Sequence, residues 1–448
     1  MMRTALVHIF LLLALLPARH AAAEDLVQVY DLAHDSDASL RAARALVRSA
    51  EPRAAQANAL LLPSANATTS ATNVATRQSA VGGAGAPGEV NLDRYATRTA
   101  TGTLNVRVPL FNRVASVDIA KARVGLTAAR TEFDVTEQEF IVRVAQAYFD
   151  VLSAQDVLAT TRSSKTSIGG QLNSAQRNFD AGTGIITDVR DAQARYDLVL
   201  SQEIAADNEL RVRSLMLDRL VGRRGVQPRP LAAPSVLPAV VPEQVDAWMA
   251  AAASHPSILR ARLALESAGL DIRRAQAERL PTVAAVGSVT HNRYGGSGAA
   301  FLPPKSTNTS VGLELNMPLF AGFAVQNRIA EALLLEEKAR EDLESATRSV
   351  EESTQRAFFD LQSGRAQVKA LEAAELSGRL SLQGTEMGYR AGVRLNLDVL
   401  NAQTLLFQTR RDLAKARYDV LMGFLKLRLA SGQLSRSDLL ATNGLLAR

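Results

Sequence analysis

From Val114 to about Asp180 the chain carries no proline, and its apolar residues fall on two interleaved seven-residue series: Phe133, Phe140, Ala147 and Ala154, and, offset by four, Val144, Val151 and Leu158. A heptad seam held over three to four heptads is the pattern of coiled-coil packing. It predicts one helix of roughly 65 residues, about 100 Å long at about 1.5 Å per residue. Glycines within Ala181–Gly184 break the seam, since glycine takes the positive φ that closes a helix C-terminus. A second helix is expected from Asp188 to about Val221, with Thr187 or Asp188 as its N-cap and Asp191 supporting its first turn. The product is a pair of antiparallel helices meeting at a tight tip.

Ahead of the seam the period changes to two. In "LNVRVPL", Leu104, Val106, Val108 and Leu110 alternate with Asn105, Arg107 and Pro109; in "VGLELNMPL", Val311, Leu313, Leu315, Met317 and Leu319 alternate with Gly312, Glu314, Asn316 and Pro318. Strict alternation gives a strand with one apolar and one polar face. Weaker strand candidates precede these at Ser64–Thr76 and Thr282–Asn292, across the glycine-rich loops "GGAGAPGE" and "GGSGAAFLPP". Pro109 and Pro318 lack an amide donor, so each fits a corner where a strand ends and a helix begins.

The whole pattern is written twice. "NFDAGTGIITDVRDAQARYD" from Asn178 returns as "GYRAGVRLNLDVLNAQTLLF" from Gly388, 210 residues on; "AYFDVL" at Ala147 returns as "AFFDLQ" at Ala357, and "SLRAARALVRSAE" at Ser39 answers to "SILRARLALESAG" at Ser257. A period this long is no solenoid repeat; it is a duplicated half-molecule. Between the copies, Arg223–Gln244 holds five prolines, which exclude a helix interior or a central strand. The expected organisation is a leader at 1–23, a first structural repeat at 24–222, a proline-rich linker or surface strap at 223–242, a second repeat at 243–432 and a polar tail at 433–448. Each repeat reads as helix, hairpin, long helix, tip, helix.

Composition then narrows what such a chain does. Arg3, the apolar stretch Ala5–Leu16 and the small residues Ala21–Ala23 read as a secretory signal peptide, with the mature chain starting at Glu24. There is no cysteine, hence no disulfide and no thiol for a lipid anchor. A net charge of +6 spread over 448 residues, with 5% aromatics, provides no concentrated basic and aromatic face, which excludes nucleic acid as a partner.

Four strands with an apolar face are too few for a two-sheet sandwich, because most other residues belong to the long helices. Strands of about ten residues, apolar outside and polar inside, are the pattern of an outer-membrane barrel. Four strands cannot close one, and open edges cannot lie in lipid. The strands therefore demand that chains pool them.

With these segments in view, the chain resembles the TolC family of outer-membrane efflux and secretion channels over essentially all of the mature sequence, toward the branch serving type I secretion. The resemblance lies in "EDLVQVYDLA", in the corners "PLFN" and "PLFAG", in the two tips, and in the ending "ARYDVLMGFLKLRLASGQLSRSDLL". It implies a mainly α fold with a membrane β-barrel: a homotrimer with a twelve-stranded barrel, four strands per chain, set in outer-membrane lipid of a Gram-negative bacterium and continued by an α-helical tunnel through the periplasm. The expected partners are a periplasmic adaptor protein and an inner-membrane ABC or proton-driven transporter. No cofactor, no metal and no enzymatic activity are implied.

The resemblance also assigns residues. The closed mouth of such a tunnel is held by hydrogen bonds and ion pairs between neighbouring hairpins, and the matching positions are Tyr389, Arg394 and Asp398 at the second tip and Asp188 at the first. Guanidinium and carboxylate pair directionally, yet a partly wet pair has little net energy, so a partner can undo it. Asp188 and Asp398 also suit helix capping. Where well-known members carry a second carboxylate three residues on, this chain has Asn401, while the first copy has Asp191. The small residues Ala181, Gly182 and Thr183, and Ala391, Gly392 and Val393, are the expected docking tips for an adaptor hairpin.

Two other classes fit the sequence less well. An enzyme lacks its parts: beyond the leader only His34, His255 and His291 remain, and HExxH, GxSxG and GxxxxGK are all missing. A periplasmic adaptor also builds long helical hairpins, but would carry one hairpin flanked by small β domains, whereas this chain has two hairpins in register with two strand pairs.

Overall fold

The computed structural model describes residues 23–77, 94–232, 237–299 and 302–447. The signal-peptide segment up to residue 22 and the loop "GGAGAPGE" lie outside the described residues. In chain order the elements are α1 (Leu26–Ser36), α2 (Ala38–Asn58), β1 (Ser64–Arg77), β2 (Arg94–Phe111), α3 (Arg113–Asp180), α4 (Ile186–Val221), α5 (Val245–Ala252), α6 (Pro256–Ala277), β3 (Thr282–Gly295), β4 (Lys305–Asn316), α7 (Ala324–Arg390), α8 (Asn396–Ala430) and α9 (Arg436–Asn443). Among the described residues no helix is long and apolar enough to cross a membrane. The chain forms two compact units, one gathering Thr131–Leu259 and Ser345–Arg448 with the stretch up to Ala45, the other Leu46–Arg130 with Arg260–Glu344.

The second unit holds one antiparallel sheet in the order β1-β2-β3-β4, so β1 and β4 are its edges. The register sets Leu104 opposite Val289 and Val283 opposite Leu315, which brings the apolar positions of neighbouring strands to one face. That face is bare: Val311 is 87% exposed, Leu313 75% and Leu315 68%. The other face is a polar lattice. Thr101 donates to Asn292 at 2.8 Å, Ser288 and Ser310 meet at 2.8 Å, and Arg107 grips Glu314 with both guanidinium nitrogens at 2.7 and 3.1 Å.

The two corners differ. Pro109 pairs with Ala284 and β2 continues to Phe111 across a register irregularity, after which Asn112 accepts from the Ala115 amide at 3.0 Å and starts α3. Pro318 instead lies beyond β4, which ends at Asn316, in a loop where Gly322 and Phe323 take positive φ before α7. Lys121–Asp271 at 2.6 Å and Arg274–Asp118 at 2.9 Å tie α3 to α6 in this unit.

In the first unit the heptad seam is the core. Phe140, Val144 and Val151 are fully buried and pack with Leu26, Leu425 and Leu439, while Phe133 and Ala147 pack against them partly buried. The proline-rich stretch carries isolated bridges between Glu24 and Pro228 and between Leu231 and Leu446. The buried Tyr148 hydroxyl accepts from the Arg229 amide at 2.8 Å and faces the carbonyls of Glu24 and Arg229, both at 3.0 Å. The final stretch, read as a polar tail, contains α9 and buries Leu434, Leu439 and Leu446.

His255 marks a close-packed junction in this unit. Its Nδ1 accepts from the Ser257 amide at 3.0 Å, which leaves Nε2 to donate to the Leu429 carbonyl at 3.2 Å. Gly432, at φ +70°, passes so close that an added Cβ would lie 2.9 Å from the His255 Cα. Burial lowers the His255 pKa, only partly offset by the bond to Leu429. A depressed histidine pKa means that the unfolded chain takes up the proton first. Stability from this group is therefore complete above the unfolded value of about 6.5 and falls as pH drops through it. Thermal denaturation between pH 5 and 8 is expected to show an acid loss that His255→Gln flattens; an unchanged slope would remove His255 from the account.

Candidate functional site

Both tips are built the same way. At the end of α3 the Gly182 amide donates to the Phe179 carbonyl at 2.9 Å and the Thr183 amide to the Asn178 carbonyl at 2.9 Å; at the end of α7 the Gly392 amide donates to Tyr389 at 3.0 Å and Val393 to Gly388 at 2.9 Å. Paired bonds of this kind, with glycine in the left-handed region, form the Schellman cap, and Gly182 and Gly392 stand at φ +72° and +74°. Nothing lies within 4 Å of a Cβ built on either glycine, so each tip presents open space. Thr183, Ala181, Ala391 and Val393 are exposed beside them.

The following helices start earlier than the capping residues suggest. α4 begins at Ile186 with Ile185 as N-cap, so neither Thr187 nor Asp188 caps it; α8 begins at Asn396 with Leu395 as N-cap. Asp188 and Asp398 are each third in their helix, where a carboxylate meets the positive end of the helix dipole. Asp398 also accepts from the Leu395 amide at 3.3 Å. The polar side chains that favour capping, Thr187 and Asp188, lie inside the first turn, because the chain re-enters the helical region directly after the tip.

Charges at the tips are loosely held. Arg394 lies 3.9 Å from Asp398, with 62% and 38% of the two side chains exposed, a pair of little net energy. The Tyr389 hydroxyl accepts from Asn178 at 3.3 Å. Among the described contacts of the chain neither Tyr389 nor Arg394 meets Asp188. The Asp188 carboxyl pKa is raised, first by partial burial and then by the Asp191 charge beside it. Asn401 accepts from Arg195 at 2.6 Å, and Arg195 reaches Thr404 at 3.0 Å as well.

Polar residues outside the expected set join the two tips. Asn396, buried in α8, accepts from Gln171 and donates to the Asp188 carbonyl at 3.3 Å, above a small core of Ile168, Ala192, Val199 and Leu400. Asn178 reaches Tyr389, and Arg195 reaches Asn401. Aligning the two copies shows a signal for them, because Asn396 stands where the first copy has Ile186, and Asn401 where it has Asp191. Gly388 and Arg394 answer to Asn178 and Gly184. A Cβ at Gly388 would lie 2.8 Å from the Arg394 Cγ, so the second tip gives up a side chain at 388 to lay the arginine stem across it.

An exposed apolar strand face with open edges, joined to helical hairpins with matched tips, defines a chain of the channel class that sits in an outer membrane. The family model for the outer membrane efflux protein matches residues 29–223 and 249–433, and the chain belongs to that family. It is 29% identical to the outer membrane protein TolC of Vibrio cholerae over 94% of this chain and 93% of that protein. It is 30% identical to the alkaline protease secretion protein AprF of Pseudomonas aeruginosa, over 75% of this chain and 70% of that one. In fold it is similar to the solved CmeC outer membrane channel of Campylobacter jejuni, with a TM-score of 0.78 at 16% identity, covering 95% of this chain and 90% of that chain. The protein is thus an outer-membrane efflux or secretion channel of the TolC family that reaches into the periplasm, a transport protein and not an enzyme. The periplasmic adaptor reading has no support.

Proposed function

We propose that three chains pool their sheets into one twelve-stranded barrel and their hairpins into one tunnel, whose periplasmic mouth is closed by the six tips. The observation that carries this is the sheet itself: four strands with an exposed apolar face and two open edges, which lipid does not tolerate unless neighbouring chains pair with them. Native mass spectrometry in detergent is expected to give three chains per particle; a stable monomer would overturn the reading.

At the mouth, Asp188, Asp191, Tyr389, Arg394, Asp398 and Asn401 form the gate, with Tyr389 and Arg394 of one chain turned toward the Asp188 tip of the next. Ala181 to Thr183 and Ala391 to Val393 receive the hairpin of a periplasmic adaptor, which couples the channel to an inner-membrane transporter. The open space at Gly182 and Gly392 supports this, because small residues allow close helix approach. Similarity to a protease secretion protein supports a role in type I secretion. The paired family match, one stretch on each side of the proline-rich segment, supports division of the chain into two structural repeats.

A further inference from the structure

We propose that the distal end of the exposed strand face binds the phosphate groups of the phosphorylated glycolipid that forms the outer leaflet of the outer membrane, through Arg98, Arg293 and Lys305. This rests on the barrel reading above. Helices enter and leave the sheet at one end, so the last residues of β1 and β3 and the first of β2 and β4 lie at the other, the end directed away from the periplasm.

The register puts the three cations on one face. Arg98 stands opposite Gly295, Arg293 opposite both Ala100 and Lys305. By the two-residue alternation, Arg98 shares the face of Leu104 and Val106, Arg293 that of Val289, and Lys305 that of Val311 and Leu313. All three are exposed, and none has a carboxylate partner among the described residues. The strands carry one acid, Glu314, which belongs to the opposite face and is held there by Arg107.

Their height matches a headgroup. Twelve residues separate Leu110 from Arg98 on β2; ten separate Val283 from Arg293 on β3 and Leu315 from Lys305 on β4. At about 3.3 Å per residue and a strand tilt of about 40°, the cations lie about 25 to 30 Å above the lower edge of the apolar face, beside an apolar band about 25 Å tall. Many barrels carry an aromatic girdle at this level; among the described residues this face carries cations there and no aromatic ring. His291 adds a further donor, bonded to Thr307 at 3.0 Å. An open cavity of about 340 Å³ lies against the pair of arginines, lined by Ala71, Asn73, Ala100 and Gly295 among others. Guanidinium forks beside small residues suit a phosphate with acyl chains running down the apolar face below.

The test compares the parent with an Arg98→Gln, Arg293→Gln, Lys305→Gln triple variant, both purified as trimers and titrated with bis-phosphorylated lipid A under native mass spectrometry. Each cation at an anionic surface contributes roughly fivefold to binding, so the variant is expected to bind roughly a hundredfold more weakly. A variant carrying Arg98→Lys and Arg293→Lys should retain most of the binding. Dephosphorylated lipid A should bind the parent as weakly as lipid A binds the triple variant. Equal binding by parent and triple variant, by phosphorylated and dephosphorylated lipid, or by phosphatidylglycerol in place of lipid A, would overturn the proposal, as would displacement by millimolar inorganic phosphate. A parent that forms no trimer would instead overturn the assembly reading beneath it.

Discussion

Tyr389→Phe combined with Arg394→Ser is expected to raise single-channel conductance in a planar bilayer several-fold while leaving the trimer intact. The two side chains are the phenol and guanidinium donors of the second tip, and inside the chain their bonds are weak: Tyr389 to Asn178 at 3.3 Å and Arg394 to Asp398 at 3.9 Å. Neither belongs to the buried seam, so the cost to stability should stay within about 1 kcal/mol, as for exposed pairs. Across the mouth the situation differs. Asp188 has a raised pKa because it is partly buried beside Asp191, a carboxylate short of a compensating cation. A donor from the next chain would relieve that, and its removal should free the tip. The Asp188 pKa should then also move, since a closed mouth brings a guanidinium near and lowers it, and the double variant should lose that shift. If the double variant conducts like its parent, the constriction lies elsewhere, and Asp191 and Asn401 are the next positions to change.

Helix and strand existence was legible in the chain because each rests on a periodicity that packing enforces. The seven-residue series places Phe140, Val144 and Val151 in one core, and all three are fully buried. The alternation at Leu104–Leu110 and Val311–Leu315 yields one apolar face whichever residue ends the strand. Ends were harder. β2 runs back to Arg94 through threonine and alanine, residues with too little contrast for alternation to register, and β4 stops two residues before Pro318. Helix starts at the tips were misplaced because capping chemistry favours Thr187 and Asp188, whereas the turn fixes Ile185 and Leu395 as the caps.

The contacts around the proposed gate were legible only in part, for a reason that lies in the duplication. Among residues shared by both copies, Gly182 and Gly392 close the turn and Asp188 and Asp398 stand in the first turn of the helix after it, and the resemblance picked them out. Residues that join one tip to the other are those in which the copies differ, since a contact between unlike partners cannot be symmetric. Asn396 against Ile186, Asn178 against Gly388 and Asn401 against Asp191 are of this kind, and each makes a bond to the other tip that its counterpart does not. A comparison that prizes identity between the halves passes over them.

Gly392→Trp is expected to abolish export while the trimer still forms, and Gly392→Ala is the control that gives this meaning. Gly392 has φ +74°, so any side chain there meets backbone strain, about 1 to 2 kcal/mol for a left-handed L-residue. Alanine and tryptophan share that cost. They differ in what they put into the space outside, where nothing lies within 4 Å of a built Cβ. If the space belongs to an adaptor hairpin, alanine should export at a reduced but measurable rate and tryptophan not at all, because an indole cannot share the gap with an approaching helix. The strain is confined to a turn far in sequence from the strands that the proposed trimer pools, so native mass spectrometry should still give three chains per particle for both variants. Gly182 has the same geometry at φ +72°, and Gly182→Trp extends the experiment to the other tip. Export by Gly392→Trp at the rate of Gly392→Ala would show that the tip is not where the adaptor docks, and would return Gly392 to its one demonstrated role, that of closing α7.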